Sequence, residues 1–236
     1  MTSPINEARW LPLESNPEFI SKYVNNIGVE TDKYEFVDIY GLEPELLQMV
    51  PRPCIAVLLL FPVTKIYQEF RNKQVEECKN LARKISESIF YTKQTVQNAC
   101  GTVALIHALA NNKTALNIDM EKAFGKYLKA TESMTPEESA EYLKTDDGIT
   151  NAHQESAVEG QTEAPNLEEC VDLHFIAFVE KDGDLYELDG ALGQPLNHGP
   201  TGGDLLEAFS NYFKNLIELN PDENRFNLIG LSAKID

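Results

Sequence analysis

The chain has few cysteines, little positive charge and no long hydrophobic run, and each shortage excludes a class of protein. Its four cysteines are widely spaced, without a CxxC pair or zinc-ligand spacing, which excludes a disulfide framework and a zinc-finger pattern. The 236 residues include 20 basic and 38 acidic side chains, a net charge of −18, whereas a nucleic-acid-binding protein needs a basic surface. The longest apolar run, residues 55–61, is too short to span a bilayer.

These shortages lead to expectations about location and partners. The first residues show no charged-then-apolar signal pattern, so we expect a reducing, cytoplasmic location, with the nucleus as a second one. We expect no nucleic acid and no membrane as partners, no metal or other cofactor, and a monomer. The acidic surface suits a basic partner through electrostatic complementarity, although solubility alone explains the charge equally well.

The apolar pattern predicts strands and helices in an irregular order. Strands are expected at 36–40, 54–61, 171–179, 185–189 and 226–233, the second of them buried and central. Helices are expected at 17–28, 43–50, 65–87, 100–110, 119–130, 135–143 and 205–219. Residues 145–166 have almost no apolar pattern and fit no element, which is typical of a lid, a binding loop or an idle insertion. We therefore predict one α+β domain over residues 1–236, with helices flanking a sheet.

The segment QTVQNACGT, residues 94–102, carries the clearest chemical signal. Cys100 stands at the start of an apolar helix, where unpaired backbone N–H groups and the positive end of the helix dipole favour a thiolate nucleophile. Gln94 carries an amide donor that could reach a developing oxyanion. A cysteine at a helix start is more often structural, but the combination suggests acyl transfer.

A cysteine nucleophile needs a base, and three of the four histidines fit that role poorly. His107 is seven residues after Cys100 on the same helix, about 10 Å along its axis, and is expected to be a packed helix residue. His153 is in the segment without apolar pattern and could not hold a fixed geometry unaided. His198 is in a turn region rich in glycine and proline, with no obvious orienting group.

His174 fits better, because an aspartate is expected beside it. An Asp-Gly pair at 182–183 predicts a two-residue hairpin loop, and this register places Asp189 diagonal to His174 on the same face. The pair has the geometry of a base and its orienting group, although such pairs are often only surface residues. Metal binding is not expected, since Cys170 and His174 are about 13 Å apart along the strand.

Ten short motifs are spread over nearly the whole chain. They are RWLPLE at 9–14, FVDIYG at 36–41, PELLQMVPRP at 44–53, VLLLFP at 57–62, QTVQNACGT at 94–102, EGQTEAP at 159–165, VDLHFIAFV at 171–179, DGDLYELDG at 182–190, LNHG at 196–199 and RFNLIGLSA at 225–233. Together these motifs resemble the ubiquitin C-terminal hydrolases, which are papain-like cysteine deubiquitinases, and most closely their short single-domain type, isozyme three.

The resemblance implies a role for each matching residue. Cys100 would be the nucleophile, His174 the base and then the acid, Asp189 the orienting group, and Gln94 the oxyanion donor. It also implies a mixed, mostly antiparallel sheet, a knotted backbone, and an active-site crossover loop over 145–166. Ubiquitin would be contacted by three segments, comprising Pro12, Leu13, Glu14, Ser15, Asn16, Pro17, Ala157, Val158, Glu159, Gly160, Gln161, Thr162, Glu163, Ala164, Glu223, Asn224, Arg225, Phe226, Asn227 and Leu228.

The resemblance also sets the expected reaction and its rivals. The reaction is hydrolysis at the C-terminal glycine of ubiquitin through an acyl-enzyme, with small or flexible leaving groups and a NEDD-type modifier as a second partner. One rival is a module that binds free ubiquitin without turning it over, but such a module needs no cysteine, histidine, aspartate and glutamine set. Another is a transglutaminase-like acyl-transferase, which the crossover loop and the short length argue against.

Overall fold

The computed structural model describes residues 9–158 and 172–235, and they form a sheet between two groups of helices. The strands are β1 Val29–Glu30, β2 Tyr34–Asp38, β3 Cys54–Pro62, β4 Asn117–Ile118, β5 Leu173–Lys181, β6 Asp184–Leu188, β7 Leu196–Pro200 and β8 Asn227–Ala233. The helices are α1 Pro17–Asn26, α2 Pro44–Leu47, α3 Lys65–Asn80, α4 Cys100–Asn111, α5 Ala123–Thr131, α6 Pro136–Thr145, α7 Asp147–Val158 and α8 Leu205–Leu219.

Six strands form the main sheet in the order β2-β8-β3-β5-β6-β7, and each neighbouring pair is antiparallel. The apolar strand β3 is central, as its continuous hydrophobic sequence predicts. β5 and β6 form the predicted hairpin, with Lys181 opposite Asp184. Asp182 and Gly183 in its loop both have positive φ, 53° and 84°, which suits a tight turn that matches the twist of the strands.

Each face of the sheet is covered by its own hydrophobic core, so both sides of β3 and β5 are buried. The apolar helix α4 packs on β5 from one face, and α1 and α7 pack together on that side. Helices α3 and α8 cover the other face. The two faces of β5 therefore bury alternate residues: Phe175, Ala177 and Val179 in the core with α4, and Ile176 and Phe178 in the core with α8. Burying both faces fixes the register of the strand, since a slip of one residue would exchange them.

The sequence prediction was wrong for residues 147–158, which form helix α7. Asp146 begins this helix, because its Oδ1 accepts the N–H of Ile149 at 2.9 Å. The buried face of α7 has helical spacing, but only one of its residues is strongly apolar, so a hydropathy pattern does not reveal the helix. Its buried residues are Ile149, Ala152, His153, Ser156 and Ala157. The rest of the expected crossover loop, from Glu159 onwards, lies outside the described residues up to Asn166.

Several other boundaries also differ from the prediction, and the largest differences are at residues 196–200 and at the end of α3. Residues 196–200 were expected to form a turn, but they form the edge strand β7, whose buried Asn197 donates to Asp184 at 2.9 Å. Helix α3 ends at Asn80 instead of 87, and Ala82 just beyond it has a left-handed φ of 49°. The α+β class with a mostly antiparallel sheet is confirmed, and the knot stays a prediction. None of the described helices is both long and apolar enough to cross a bilayer.

Candidate active site

Cys100 is the first residue of α4, and contacts with the N-terminal segment hold that helix start in place. Asn98 adopts a left-handed backbone, with φ of 64°, and its side-chain amide donates to the carbonyl oxygen of Trp10 at 3.1 Å. Gly101 lies against Leu13, because a Cβ added at Gly101 would be 3.1 Å from the Leu13 Cβ. The free, buried thiol of Cys100 is thus at the positive end of a buried helix.

His174 and Asp189 lie side by side at the ends of β5 and β6. His174 Nε2 is 2.8 Å from Asp189 Oδ1; Asp189 is fully buried and the His174 side chain is 13% exposed. The edge of the Phe61 ring packs on the imidazole, with the ring centroids 5.7 Å apart. Since Nε2 is engaged by the carboxylate, Nδ1 is the ring nitrogen available to a thiol.

Several groups besides His174 hold Asp189, among them the backbone N–H of Leu192, which donates to its carbonyl oxygen at 2.9 Å. Its Oδ1 also accepts the backbone N–H of Ala191 at 2.8 Å, and its Oδ2 accepts a short hydrogen bond from the Arg71 guanidinium of α3. Its backbone carbonyl accepts the hydroxyl proton of Tyr91 at 2.7 Å. Neither Arg71 nor Tyr91 is predictable from the sequence as a partner of Asp189, because they are 118 and 98 positions away from it.

The charges around the pair favour an imidazolium beside a carboxylate. Burial alone lowers the pKa of His174, but hydrogen bonding to Asp189 and Cys100, with the negative charges of both side chains, outweighs it and raises the pKa to about 10. Burial raises the pKa of Asp189, but the hydrogen bond and charge of His174 and the charge of Arg71 hold it below its ordinary value. At neutral pH the pair is therefore ionised and held in one geometry.

Gln94 lies on the extended segment before α4 and next to the end of β6. Its backbone N–H donates to the carbonyl oxygen of Gly190 at 2.8 Å. Its side-chain amide donates to the carbonyl oxygen of Val96 at 3.1 Å, and its Oε1 is buried without a hydrogen-bond partner in the described part of the chain. A primary amide has two N–H donors, so the second remains for an anion.

His107 and His153 are both buried structural residues. His107 is the packed helix residue that the sequence predicted, and its Nε2 is 3.1 Å from the backbone nitrogen of Thr92. The expectation that His153 lacks a fixed geometry is wrong. Its Nδ1 is 2.8 Å from Thr102 Oγ1 and its Nε2 is 2.7 Å from the carbonyl oxygen of Leu11. Burial lowers the pKa of both imidazoles to about 4, so both are neutral at pH 7.

His198 has the orienting group that the sequence analysis did not find. Its Nε2 is 2.9 Å from Oε2 of the buried Glu187, which also accepts the Tyr212 hydroxyl at 2.8 Å. A second histidine–carboxylate pair thus lies close to the first, with Glu187 in β6 and Asp189 directly after the strand. His198 lines a cavity of about 450 Å³ together with Cys78.

The other described cysteines have environments that disfavour the thiolate. The Cys54 thiol donates to the carbonyl oxygen of Ala56 at 3.3 Å, and burial raises its pKa to about 11. Burial and the nearby Glu187 carboxylate also raise the pKa of Cys78. Cys170 lies outside the described residues.

The structure brings two of the three predicted ubiquitin-contact segments together. The segments 12–17 and 223–228 are adjacent, because Ser15 Oγ donates to Asn227 Oδ1 at 2.5 Å. Arg225 links the second segment to the start of β5 through an ion pair with Asp172 at 2.7 Å. A cavity of about 800 Å³ lies next to Phe226, between residues 38–44 and α8, and not at Cys100 or His174.

Not every residue of the predicted contact set is on the surface. Ala157 and Leu228 are each 7% exposed and pack in the core, so their side chains do not present the contact surface that was expected. Val158, by contrast, is 71% exposed at the end of α7. Residues 159–164 lie outside the described residues, and their contacts stay a prediction. Within residues 9–158 and 172–235, no three histidine, cysteine or carboxylate side chains are arranged to hold a metal ion.

Comparison with known proteins identifies the family. Residues 10–218 match the family described as ubiquitin carboxyl-terminal hydrolase, family 1. The chain belongs to this family. A ubiquitin carboxyl-terminal hydrolase of Aplysia californica is 44% identical over 92% of this chain and 99% of its own length, and the human isozyme L1 is 40% identical over 93% and 96%. A probable ubiquitin carboxyl-terminal hydrolase of Dictyostelium discoideum is 40% identical over 97% and 89%.

The fold of the chain agrees with that of a solved structure. The Trichinella spiralis UCH37 catalytic domain, bound to ubiquitin vinyl methyl ester, aligns with a TM-score of 0.73 over 97% of each chain, at 21% identity. The family match spans Cys100, His174 and Asp189, so the three residues assembled here fall within the cysteine-peptidase domain. The membership that the motifs implied is confirmed.

Proposed function

We propose that this chain is a thiol-dependent deubiquitinase that hydrolyses bonds at the C-terminal glycine of ubiquitin. The observation that carries the proposal is the buried His174–Asp189 pair at 2.8 Å, with the free thiol of Cys100 acting on the same imidazole. A nucleophile, a base and an orienting carboxylate in this order are what acyl transfer by a cysteine enzyme requires.

In the first half of the reaction, the Cys100 thiolate attacks the carbonyl carbon of the terminal glycine. The new C–S bond turns the carbonyl oxygen into an oxyanion, for which the second amide N–H of Gln94 and the backbone N–H of Cys100 are the donors. The carbonyl then re-forms, the C–N bond breaks, and the His174 imidazolium gives its proton to the leaving amine. The product of this half is a thioester on Cys100.

In the second half, water attacks the thioester carbon and His174 accepts its proton. The C–S bond breaks, the thiolate returns, and ubiquitin leaves with a free carboxylate. Asp189 keeps the imidazole ring oriented in both halves, because its Oδ1 stays bound to Nε2.

The proposal extends to substrates and location. A loop closing over the cleft would favour peptide tails, short adducts and precursor extensions, and the part of the expected crossover loop beyond Val158 would form that gate. The net charge of −18 suits the basic tail of ubiquitin, and a NEDD-type modifier is a second candidate substrate. The enzyme would act as a monomer in the cytoplasm and the nucleus.

Turnover of ubiquitin carrying a fluorogenic C-terminal amide tests the proposal. Wild-type protein should hydrolyse it, and Cys100→Ala should not, while still binding ubiquitin. His174→Ala should lower kcat by several orders of magnitude, and Asp189→Asn by less, because it disturbs the ring without removing the base. His198→Ala and His107→Ala serve as controls. Ubiquitin binding without turnover by the wild type would instead identify a binding module.

The pH profile gives a second test. Since the pKa of His174 is raised to about 10, the imidazolium persists well above the ordinary imidazole value of 6.5. We expect kcat/KM to hold through pH 8 and to fall only as pH rises towards 10. An alkaline limb near pH 6.5 would contradict the assignment of His174 as the acid.

A further inference from the structure

We infer that Arg71 is a positioning residue for the reaction: its guanidinium binds Oδ2 of Asp189 so that Oδ1 faces His174. This inference rests on the proposed function, since it concerns the same site. The contacts are direct. Asp189 Oδ2 accepts from Arg71 Nη2, whereas Oδ1 accepts from His174 Nε2 and from the backbone of Ala191.

The division of partners leaves the carboxylate one orientation. Each oxygen of Asp189 has a charged donor of its own, and the side chain is fully buried, so no water replaces either of them. Rotating the carboxylate would bring a second acceptor to Arg71 and leave His174 without one. Arg71 thereby determines which oxygen, and which direction, the imidazole meets.

The position of Arg71 on its helix places its side chain in the interior of the protein. Helix α3 is otherwise mostly charged and exposed, with the Lys65 and Lys73 side chains 88% and 73% exposed. The Arg71 side chain is 15% exposed, and its guanidinium lies over the ring of Tyr67, one turn earlier, at 5.9 Å from the centroid. Tyr67 in turn packs on Phe61, with ring centroids 4.0 Å apart. Phe61 thus contacts both Tyr67, which supports Arg71, and the imidazole of His174.

Stability alone does not account for this arginine. A buried ion pair is seldom more stabilising than apolar side chains of the same volume, because both charges lose their hydration. Here the Nε of Arg71 is also buried without a hydrogen-bond partner in the described part of the chain. An interior arginine with one donor unsatisfied is a poor stabilising device, but it supplies a permanent positive charge at Asp189.

The reaction needs that permanent charge. His174 is an imidazolium before it protonates the leaving amine and a neutral imidazole afterwards. Without Arg71, the buried carboxylate would then have no cation beside it, and protonation or rotation would follow. Arginine stays charged throughout the working pH range, so Asp189 remains an oriented carboxylate in both halves of the cycle.

A pair of variants separates charge from hydrogen bonding. Arg71→Gln keeps an N–H donor but removes the charge, and Arg71→Lys keeps the charge but places it on a single nitrogen. With Arg71→Gln we expect kcat on the fluorogenic ubiquitin amide to fall by about 10- to 100-fold and KM to change little. Because Arg71 helps to lower the pKa of Asp189, the acidic limb of kcat/KM should also move to higher pH. Arg71→Lys should restore the limb and part of the rate.

The ionisable groups near this pair are the same in both variants, so the comparison isolates residue 71. They come from β5, β6, α3, α4 and the segment before α4: His174, Glu187, Tyr67, Cys100, His107 and Tyr91. The control is Arg83→Met, which removes another partly buried arginine, one that donates to the carbonyl oxygen of Asn197 at 3.2 Å and not to Asp189. Its rate and pH limb should match the wild type.

The outcomes are distinct. Turnover by the wild type and by Arg83→Met establishes the proposed function independently of Arg71. Given that turnover, wild-type kcat and an unshifted acidic limb in Arg71→Gln would overturn the inference. A uniform loss of rate at every pH that Arg71→Lys does not rescue would do the same, since it would indicate only a structural role. If Arg71→Gln unfolds below the assay temperature, the test rests on Arg71→Lys. An acidic limb of kcat/KM that is shifted in Arg71→Lys would also overturn the inference.

Discussion

Replacing Gly190 by alanine should damage the site without touching any residue that reacts. Gly190 follows Asp189 and accepts the backbone N–H of Gln94 at 2.8 Å. An added Cβ would be 2.7 Å from Val103 Cγ1 and 3.0 Å from both the Cβ and the backbone nitrogen of Gln94. Two of these atoms belong to Cβ and backbone positions that cannot rotate away, so the Gln94 segment must move.

The size of the effect follows from these distances. Ordinary contacts begin near 3.4 Å, so the three contacts must open by about 0.4 to 0.7 Å. Overpacking of this kind typically costs about 1–3 kcal/mol of the free energy of unfolding. A displacement of about 1 Å at a catalytic group can cost about 100-fold in rate, so a shift of half that size should lower kcat by about 10-fold.

Gly193→Ala is the matched control, because a Cβ there has no atom within 4 Å although the residue lies in the same loop. Urea unfolding and turnover of the fluorogenic ubiquitin amide should both separate the two alanine variants. Equal stability and equal kcat for Gly190→Ala and the wild type would refute the reasoning. Equal losses in both variants would show that the loop as a whole, and not the contact at Gly190, is responsible.

Three further predictions concern other parts of the molecule. A ubiquitin C-terminal electrophile should label Cys100 once and leave Cys54 unlabelled, since burial raises the pKa of Cys54 to about 11; labelling that survives Cys100→Ala would exclude Cys100 as nucleophile. The folded-state pKa of His153, about 4, is below its unfolded value near 6.5, so the stability that His153 contributes is retained above pH 6.5 and is reduced by about 3 kcal/mol as pH drops to 4. Urea unfolding at several pH values should show a shallower fall for His153→Gln, and an unchanged fall would contradict the burial argument. Glycine and serine inserted after Val158 should admit folded ubiquitin conjugates such as di-ubiquitin with little change on the small amide, and wild-type cleavage of di-ubiquitin as fast as short adducts would exclude a gate.

The sequence predicted the elements that are strongly patterned and near their partners. Strand β3 is a continuous apolar run, α8 has helical spacing, and the hairpin between β5 and β6 has a two-residue turn signal. That turn made the approach of His174 and Asp189 predictable, because a hairpin register converts sequence distance into spatial distance. Local rules were sufficient for this part of the site.

The rest of the site depends on contacts that local rules do not encode. Arg71 reaches Asp189 across 118 positions, and nothing in a charged helix marks which basic residue turns inward except the spacing of four between Arg71 and Tyr67. His153 was misjudged for a related reason. Its helix buries small and polar side chains, which are satisfied by partners as distant as Leu11 and Thr102. Hydropathy detects apolar burial and overlooks polar burial.

Strand β6 shows why a histidine beside a carboxylate is not by itself a catalytic site. Glu187 is in β6 and Asp189 directly follows the strand, and each engages a histidine Nε2 at 2.8–2.9 Å. The difference lies in what surrounds each pair. The carboxylate of Glu187 is shared with the Tyr212 hydroxyl inside the core between α8 and the sheet, which satisfies it as a closed polar network. At the imidazole beside Asp189, helix α4 instead presents the Cys100 thiol to the second ring nitrogen. The position of the Cys100 thiol, and not the histidine–carboxylate geometry, therefore distinguishes the pair that we propose to be reactive from the other one.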